Sequence, residues 1–526
     1  MGRALPVRRN PIARAITATF GCALVAVVSA QSIWAQVPPS VPAAGSDAER
    51  IARLEGMVST VVEENRRLAE EVRMLKEQLA AGTPPVPAAM LPDVAAIGGV
   101  VPTPTTPSLA PAAVPSAFSP GPESSPLVPR GRFRVDYERG FAILPENVDD
   151  TPFSLRVRSQ NMFRYNGFVA EERFWINSAG ERIRIGNNNY FAIPRGRLIF
   201  SGTALLPRLT YLLNIDYNTI SSNPIGFRAY ELGYRFSRAF ELYVGQTKVP
   251  GTREWIESAF VPLQSADRTM ATTFFRPSLS QGVWVSGQPR DDFYYTAMIS
   301  NGFNTLNLLP ERLNNRFAYS GSVWWEPWGD FGRGYSDLQH HEEAALRLGG
   351  CYTLALGRGS QSASDAVENS PIRLSDGTII TTPGALAPGV TLQTYDVSLA
   401  TIDLSYKYRG LGLSTEFFFQ DLLGLEGNGP LPIRTTSAFG AFVKGGYFVI
   451  PQRAELFARA SFVTGAYGSG SEVGGGLNYF FLKGQDNMFF TLDATGLESS
   501  PAGQARTGFV AGQTGFLFRT QVTVVY

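Results

Sequence analysis

Histidine and cysteine are nearly absent, two of each in 526 residues. Cys22 lies in a segment read below as removed, which leaves Cys351 alone. A disulfide scaffold, a zinc ribbon and a histidine-rich metal centre are therefore excluded by count, and Cys351 reads as a small buried or lumenal side chain. Charged residues make up only 17%, below the roughly 25% of soluble chains. Lysine is scarce, 5 against 41 arginines, and the net charge is +1. That balance offers no basic domain to a nucleic acid. Beyond the first thirty residues there is no run of about 18 consecutive apolar residues, so no helical membrane span is expected. What is abundant is apolar (44%) and aromatic (12%), with 53 glycines. This is too apolar for a disordered chain.

The N-terminus reads as an export signal. Arg3, Arg8, Arg9 and Arg14 precede an uncharged stretch from Ala15 to Ala30, the order of a basic and then an apolar region. Sixteen residues is short for a transmembrane anchor, which needs about 20. Cleavage after Ala35, giving a signal over 1–35, fits the small-residue rule. The mature chain is then expected in the periplasm or beyond it.

Residues 47–81 read as a coiled coil. Ile51, Leu54, Val58, Val61, Leu68, Val72, Leu75 and Leu79 keep a 3–4 spacing, with Asn65 at the one polar core position. β-branched residues with leucine and a buried Asn lean towards two strands. The segment 82–129 is Pro-rich, with 13 prolines between Thr83 and Pro129. Such a run favours extended polyproline II and reads as a spacer.

From 130 to 526 the period changes to two. At the C-terminus Phe516, Phe518, Thr520, Val522, Val524 and Tyr526 alternate with Leu517, Arg519, Gln521, Thr523 and Val525. Similar segments place strands near 153–165, 195–206, 208–217, 227–236, 239–247, 281–288, 292–301, 316–326, 344–356, 395–408, 411–421, 437–449, 454–463, 472–482, 487–495 and 515–526. A soluble sandwich points the apolar face inward; a membrane barrel points it outward around a polar interior. Strands of about 9–13 residues suit a tilted membrane crossing, and Trp324, Trp325 and Trp328 cluster at a strand end where an interfacial girdle would lie. Connections after odd-numbered strands are mostly long and those after even-numbered strands short, with 327–343 the exception. Long loops on one side and tight turns on the other is the outer-membrane pattern, turns in the periplasm. The expectation is an all-β chain, a sixteen-stranded antiparallel transmembrane barrel large enough for an aqueous channel, preceded by a short coiled coil.

Several stretches then resemble the phosphate-selective porin O and P family. They are Leu242 to Pro250 (LYVGQTKVP), Arg253-Glu254-Trp255, Ala266 to Pro277 (ADRTMATTFFRP), Gly282-Val283, Asn301 to Asn304, Gly475 to Phe481 and Arg519 to Val522. The resemblance implies a trimeric porin in the outer membrane, general or anion-preferring. It also implies that the loop after the fifth strand, here Lys248 to Ser280, folds into the lumen. Partners expected on this reading are outer-membrane lipid, two further copies of the chain, and small hydrophilic solutes or anions such as phosphate. The trimer stands against the two-strand leaning of the heptads. A rival reading takes the barrel as an anchor and the coiled coil and linker as a cell-wall tether.

Strand parity points Arg156, Arg158, Arg164, Arg195, Arg197, Arg347, Arg459 and Arg519 into the lumen, together with Asp216, Glu231, Glu241, Asp403, Glu416, Glu455 and Asp493. The candidate pore-lining and constriction residues are Arg156, Arg158, Arg195, Arg197, Lys248, Arg268, Arg347, Arg459 and Arg519. Lys248 and Arg268 are the first choices for contacting permeating anions. No catalytic set is expected: His340 and His341 sit side by side in a turn, and the Gly349-Gly350, Gly445-Gly446 and Gly474 to Gly476 clusters lie in strands without a following helix. No metal or cofactor is expected.

Overall fold

The computed structural model describes Glu70 and residues 132–526 except 138–139, 148–151, 307–312, 314–315, 360–367 and 370. The export signal, the Pro-rich linker and, Glu70 apart, the coiled coil lie outside the described residues.

The chain enters through a short hairpin, β1 (Phe133–Tyr137) and β2 (Phe141–Pro145). The first long strand is β3 (Ser154–Ala170), and a second small hairpin, β4 (Phe174–Ile176) with β5 (Arg182–Arg184), rides on the loop after it. Then come β6 (Asn188–Ala204), β7 (Leu206–Tyr217), β8 (Ile225–Ser237), β9 (Phe240–Lys248), β10 (Leu279–Arg290), β11 (Phe293–Ser300) and β12 (Ala318–Trp325). The second half is β13 (Ala345–Gly359), β14 (Leu392–Tyr408), β15 (Leu411–Gly427), β16 (Thr436–Ile450), β17 (Ala454–Gly465), β18 (Gly468–Phe480), β19 (Met488–Ser500) and β20 (Gln513–Val525). Each of these pairs antiparallel with its neighbours in sequence, and β20 returns to β3 from Gly515↔Ala170 to Val525↔Gln160. The result is a closed antiparallel barrel of sixteen strands, β3 and β6 to β20. Every expected strand overlaps one of them.

Some strands are longer than the expected 9–13 residues: β3, β6, β14 and β15 each have 17. The entry hairpin was not anticipated, although Phe133, Val135 and Tyr137 alternate with Arg134 and Asp136. It closes a gap in the seam. β20 ends where Tyr526 and Ser159 exchange backbone hydrogen bonds, and β2 takes over the same edge of β3 at Leu155 to Val157. An open sheet edge is thereby covered.

The two faces of the wall are inverted relative to a soluble protein. Along β20, outward Phe516 is 48% exposed, whereas inward Arg519 is 0%. Along β15, outward Phe417 and Phe419 stand against buried Glu416 and Gln420. An apolar exterior around a charged interior is the arrangement of a barrel that meets lipid. In the tryptophan cluster the girdle expectation holds for Trp325 and Trp328, which are exposed. Trp324 differs. It turns inward, stacks on Tyr294 and carries the Arg253 guanidinium over its ring at 4.4 Å.

Candidate functional site

The candidate site is the lumen, and its geometry is set by the long connection between β9 and β10. This segment holds two short helices, α1 (Arg253–Ile256) and α2 (Met270–Phe275), each with a threonine at its N-cap, Thr252 and Thr269. Almost all of 249–278 is buried, so the loop lies inside the barrel. Its shape is held from the wall. Glu416 on β15 accepts from the Arg253 and Glu254 amides at 2.6 and 3.1 Å, and Glu472 on β18 accepts from the Met270 amide at 2.8 Å. Wall carboxylates thus satisfy amides that each helix start leaves without partners.

Ion pairs fasten the rest. Lys444 on β16 meets Glu254 at 2.6 Å, and the Asp267 carboxylate accepts from Arg164 at 2.7 Å and Arg195 at 2.5 Å. Asp493 on β19 accepts from the Ala266 amide at 3.0 Å. The wall is thinned to make room. A Cβ on Gly440 would stand 2.5 Å from the Phe275 ring.

A second segment enters from the opposite end. The connection between β12 and β13, the exception among the short turns, buries Phe331, Tyr335 and Asp337. Lys407 donates to the Phe331 and Arg333 carbonyls at 3.0 and 3.1 Å, and Ser336 donates to Glu455 at 2.6 Å. The Tyr335 amide bonds to the Pro262 carbonyl at 2.9 Å, so the two inserted segments touch. Lys444 joins them: its ammonium also lies 3.6 Å over the Tyr335 ring. Nothing in the local pattern of 327–343 signalled this insertion beyond its length. His341 sits here, its Nδ1 2.5 Å from Asp337 and its Nε2 3.1 Å from the Asp330 carbonyl. Among the described residues no group of side chains is arranged to hold a metal ion.

The residues expected to line the pore fall into four sets. Arg195 and Arg197 stand at mid-strand, opposite Met162 and Gln160. Arg195 meets Asp267; Arg197 meets Asp216 at 3.4 Å and covers the Phe260 ring at 4.7 Å. Arg156 and Arg158 are half-buried nearer the turn end, opposite Ser201 and Ile199. At about 3.3 Å per residue they lie well below Arg195 and Arg197, and the four do not form one ring. Arg347 pairs with Glu257 at 2.9 Å, Arg459 with Glu472 at 3.3 Å, and Arg519 with Asp493 at 2.7 Å.

Lys248 and Arg268 form the fourth set, around α1. Lys248 donates to the Trp255, Ile256 and Glu257 carbonyls at 2.7–2.9 Å, and Arg268 donates to the Glu254 and Glu257 carbonyls at 3.2 and 2.9 Å. Both also lie over the Trp255 ring, with Arg276 as a third cation at 4.5 Å. In this arrangement they hold the helix end. Sequence reasoning had not singled out Arg228, Arg276, Glu368 and Arg506 as site residues. They meet only because three loops converge in the lumen.

The inserted carboxylates are strongly perturbed. Burial alone would raise Asp267, but the guanidiniums of Arg195 and Arg164 outweigh it and hold the group well below the usual carboxylate range. Burial is likewise outweighed at Glu254 by Lys444 and at Glu257 by Arg347. A depressed folded-state pKa contributes stability above the unfolded value, near 3.9 for Asp, that is lost as pH falls through the folded value. The difference in thermal midpoint between the wild type and Asp267→Asn should therefore stay constant from about pH 8 to pH 5 and shrink below about pH 4. A difference that shrinks between neutral pH and pH 5 would contradict the pairing of Asp267.

No protein-family model matches the sequence, and no curated protein matches it. Among solved structures, the barrel is similar to outer-membrane-expressed OmpT of Vibrio cholerae, at 13% identity over 71% of this chain and 98% of that one, TM-score 0.42. It is also similar to OprB of Pseudomonas putida (8% identity, 71% of this chain, 94% of that one, TM-score 0.44). A third is an anion-selective porin of Comamonas acidovorans, at 10% identity over 71% and 98% of the two chains, TM-score 0.44. At these identities and scores the likenesses assign no solute and no residue role to this chain.

Proposed function

We propose that this chain is an outer-membrane porin that lets small hydrophilic solutes diffuse through a barrel narrowed by its own inserted segments. The observation that carries this reading is the inversion of the wall, apolar outside and densely charged inside. A barrel serving only as an anchor gains nothing from burying so many charges, since each costs desolvation unless paired. On this reading Arg156, Arg158, Arg195, Arg197, Arg347, Arg459 and Arg519 line the passage, and Lys248 and Arg268 belong to its constriction. Anion preference is part of the proposal, as are the homotrimer and a coiled coil on the periplasmic side.

A second reading, an envelope tether with the barrel as anchor, is favoured by the burial of two inserted segments within the barrel. Reconstitution of the purified chain in planar bilayers separates the two. The porin reading expects discrete conductance steps and, in a salt gradient, a reversal potential displaced towards anions. Absence of any current from correctly folded protein would reject the porin reading. Crosslinking of the unheated protein should give a trimer band; a ladder that stops at dimer would refute the trimer.

A further inference from the structure

We infer that the loop-side half of the lumen is a binding site for small carboxylates, and that the chain's own Glu368 is its resident ligand. This deepens the porin reading and rests on it.

Glu368 lies in the connection between β13 and β14. Its carboxylate stands 2.9 Å from Arg276 and 3.1 Å from Arg506, with Arg228, Arg195 and Arg197 at 3.8, 3.9 and 4.0 Å. These five guanidiniums come from two barrel strands, the constriction loop and the connection between β19 and β20. With Arg164 they make six, and the carboxylates they share are three: Asp216, Asp267 and Glu368. Positive charge is in excess where burial makes it most costly.

The excess is not satisfied by hydrogen bonds. Both Nε and Nη2 of Arg228 lack a hydrogen-bond partner, as do Nε of Arg195, Arg276 and Arg506. All four residues are at least nine-tenths buried. Buried donors without acceptors favour any anion that can reach them.

A cavity lies one residue along the chain from two members of the cluster, and Glu368 is held partly through atoms other than its carboxylate. The cavity, of about 410 Å³, is lined by Ile220, Ser221, Asn369, Gln504, Ala505 and Phe509 among others. Asn369 and Ala505, in its lining, are the sequence neighbours of Glu368 and Arg506, and the one charged side chain that lines it is Arg373. Glu368 is anchored by its backbone: Arg276 and Ser278 donate to its carbonyl at 2.8 and 3.0 Å, and the Asn369 side chain donates to the Leu306 carbonyl. These contacts hold Glu368 and Asn369 without using the Glu368 carboxylate, so displacing the carboxylate leaves them intact. Guanidinium forks match planar carboxylates, and the group already seated among them is one. The class assigned is thus the small carboxylate, with phosphate as the competing anion.

The test is calorimetric titration of the purified full chain in detergent with succinate and, separately, with inorganic phosphate. Glu368→Gln removes the internal competitor without changing its size and should bind succinate about tenfold or more tightly than the wild type. Adding Arg228→Ala to that variant should abolish most of the gain, and Glu368→Asp should behave as the wild type. Equal succinate affinity in the wild type and Glu368→Gln overturns the proposal; tighter binding of phosphate than of succinate overturns the assigned class. Should Glu368→Gln fail to fold, the wild type still decides: succinate should raise its thermal midpoint, more than it raises that of Arg228→Ala, and no shift in the wild type overturns the site. The same proteins in planar bilayers keep the two readings apart. Succinate binding without conductance rejects the porin and leaves the site standing, whereas conductance without succinate binding rejects the site alone.

Discussion

Deleting residues 255–272 is expected to raise single-channel conductance. The segment removed contains the C-terminal half of α1 with the Trp255 platform, Asp267, and the first half of α2, with Trp255, Asp267 and Met270 all buried within the barrel. None of it belongs to a barrel strand, and the β9–β10 pairing from Lys248↔Leu279 to Glu241↔Ser286 is independent of it. The barrel should therefore close as before, with a wider aqueous section and an unshielded wall. Arg164, Arg195 and Arg459, which now bond Asp267 through its carboxylate or its carbonyl, would face water, and the current should become more anion-selective because a ring of like charge sets selectivity. Unchanged conductance in a folded trimer would mean that the inserted loop does not limit the passage. The tether reading would gain only if current were absent from both proteins.

Replacing Lys444 by methionine releases both inserted segments at once. The ammonium bonds the Glu254 carboxylate at 2.6 Å and the Leu263 carbonyl at 3.2 Å, and lies over Tyr335. Methionine keeps the length and removes the charge, leaving Glu254 buried with the Thr269 amide and hydroxyl as donors and without its Lys444 ion pair. Breaking one partner of a buried pair costs about 3–5 kcal/mol. That cost should appear as a lower thermal midpoint, as new protease sensitivity between 255 and 263, and as current noise from a loop that leaves its seat. The double variant Glu254→Gln with Lys444→Met should recover much of the loss, because the stranded charge is gone. If the double variant is as impaired as the sum of the two single ones, the pair is not coupled and the loop is held elsewhere.

The strand pattern was legible because alternation is local. A strand shows its two faces every second residue, so Phe516 and Arg519 could be assigned outward and inward without knowing what lay beside them. The long connections could be recognised as too long for turns. The resemblance implied that 248–280 turns inward, and the apolar and charged residues of that loop fit a lumenal seat. The partners could not be read. Asp267 meets Arg164 and Arg195, 103 and 72 positions away, and Arg506 meets Asp216 across 290. Such pairs exist only after β20 has closed on β3 and brought both ends of the chain around one lumen. Parity says that an arginine points inward, but not at what height or to which carboxylate. That is why Arg156 and Arg158 separate from Arg195 and Arg197.

The sequence by itself determined the class of fold, the sixteen strands of the barrel wall and, for most of their residues, the side each faces, because these follow from a two-residue period and the spacing of turns. Only the tertiary structure decided what fills the lumen: the turn-side segment around Tyr335, the cage around Glu368, and the carbonyls that engage Lys248 and Arg268. Those depend on closure of the barrel, which turns charges far apart in sequence into neighbours in a low-dielectric space where each must find a partner.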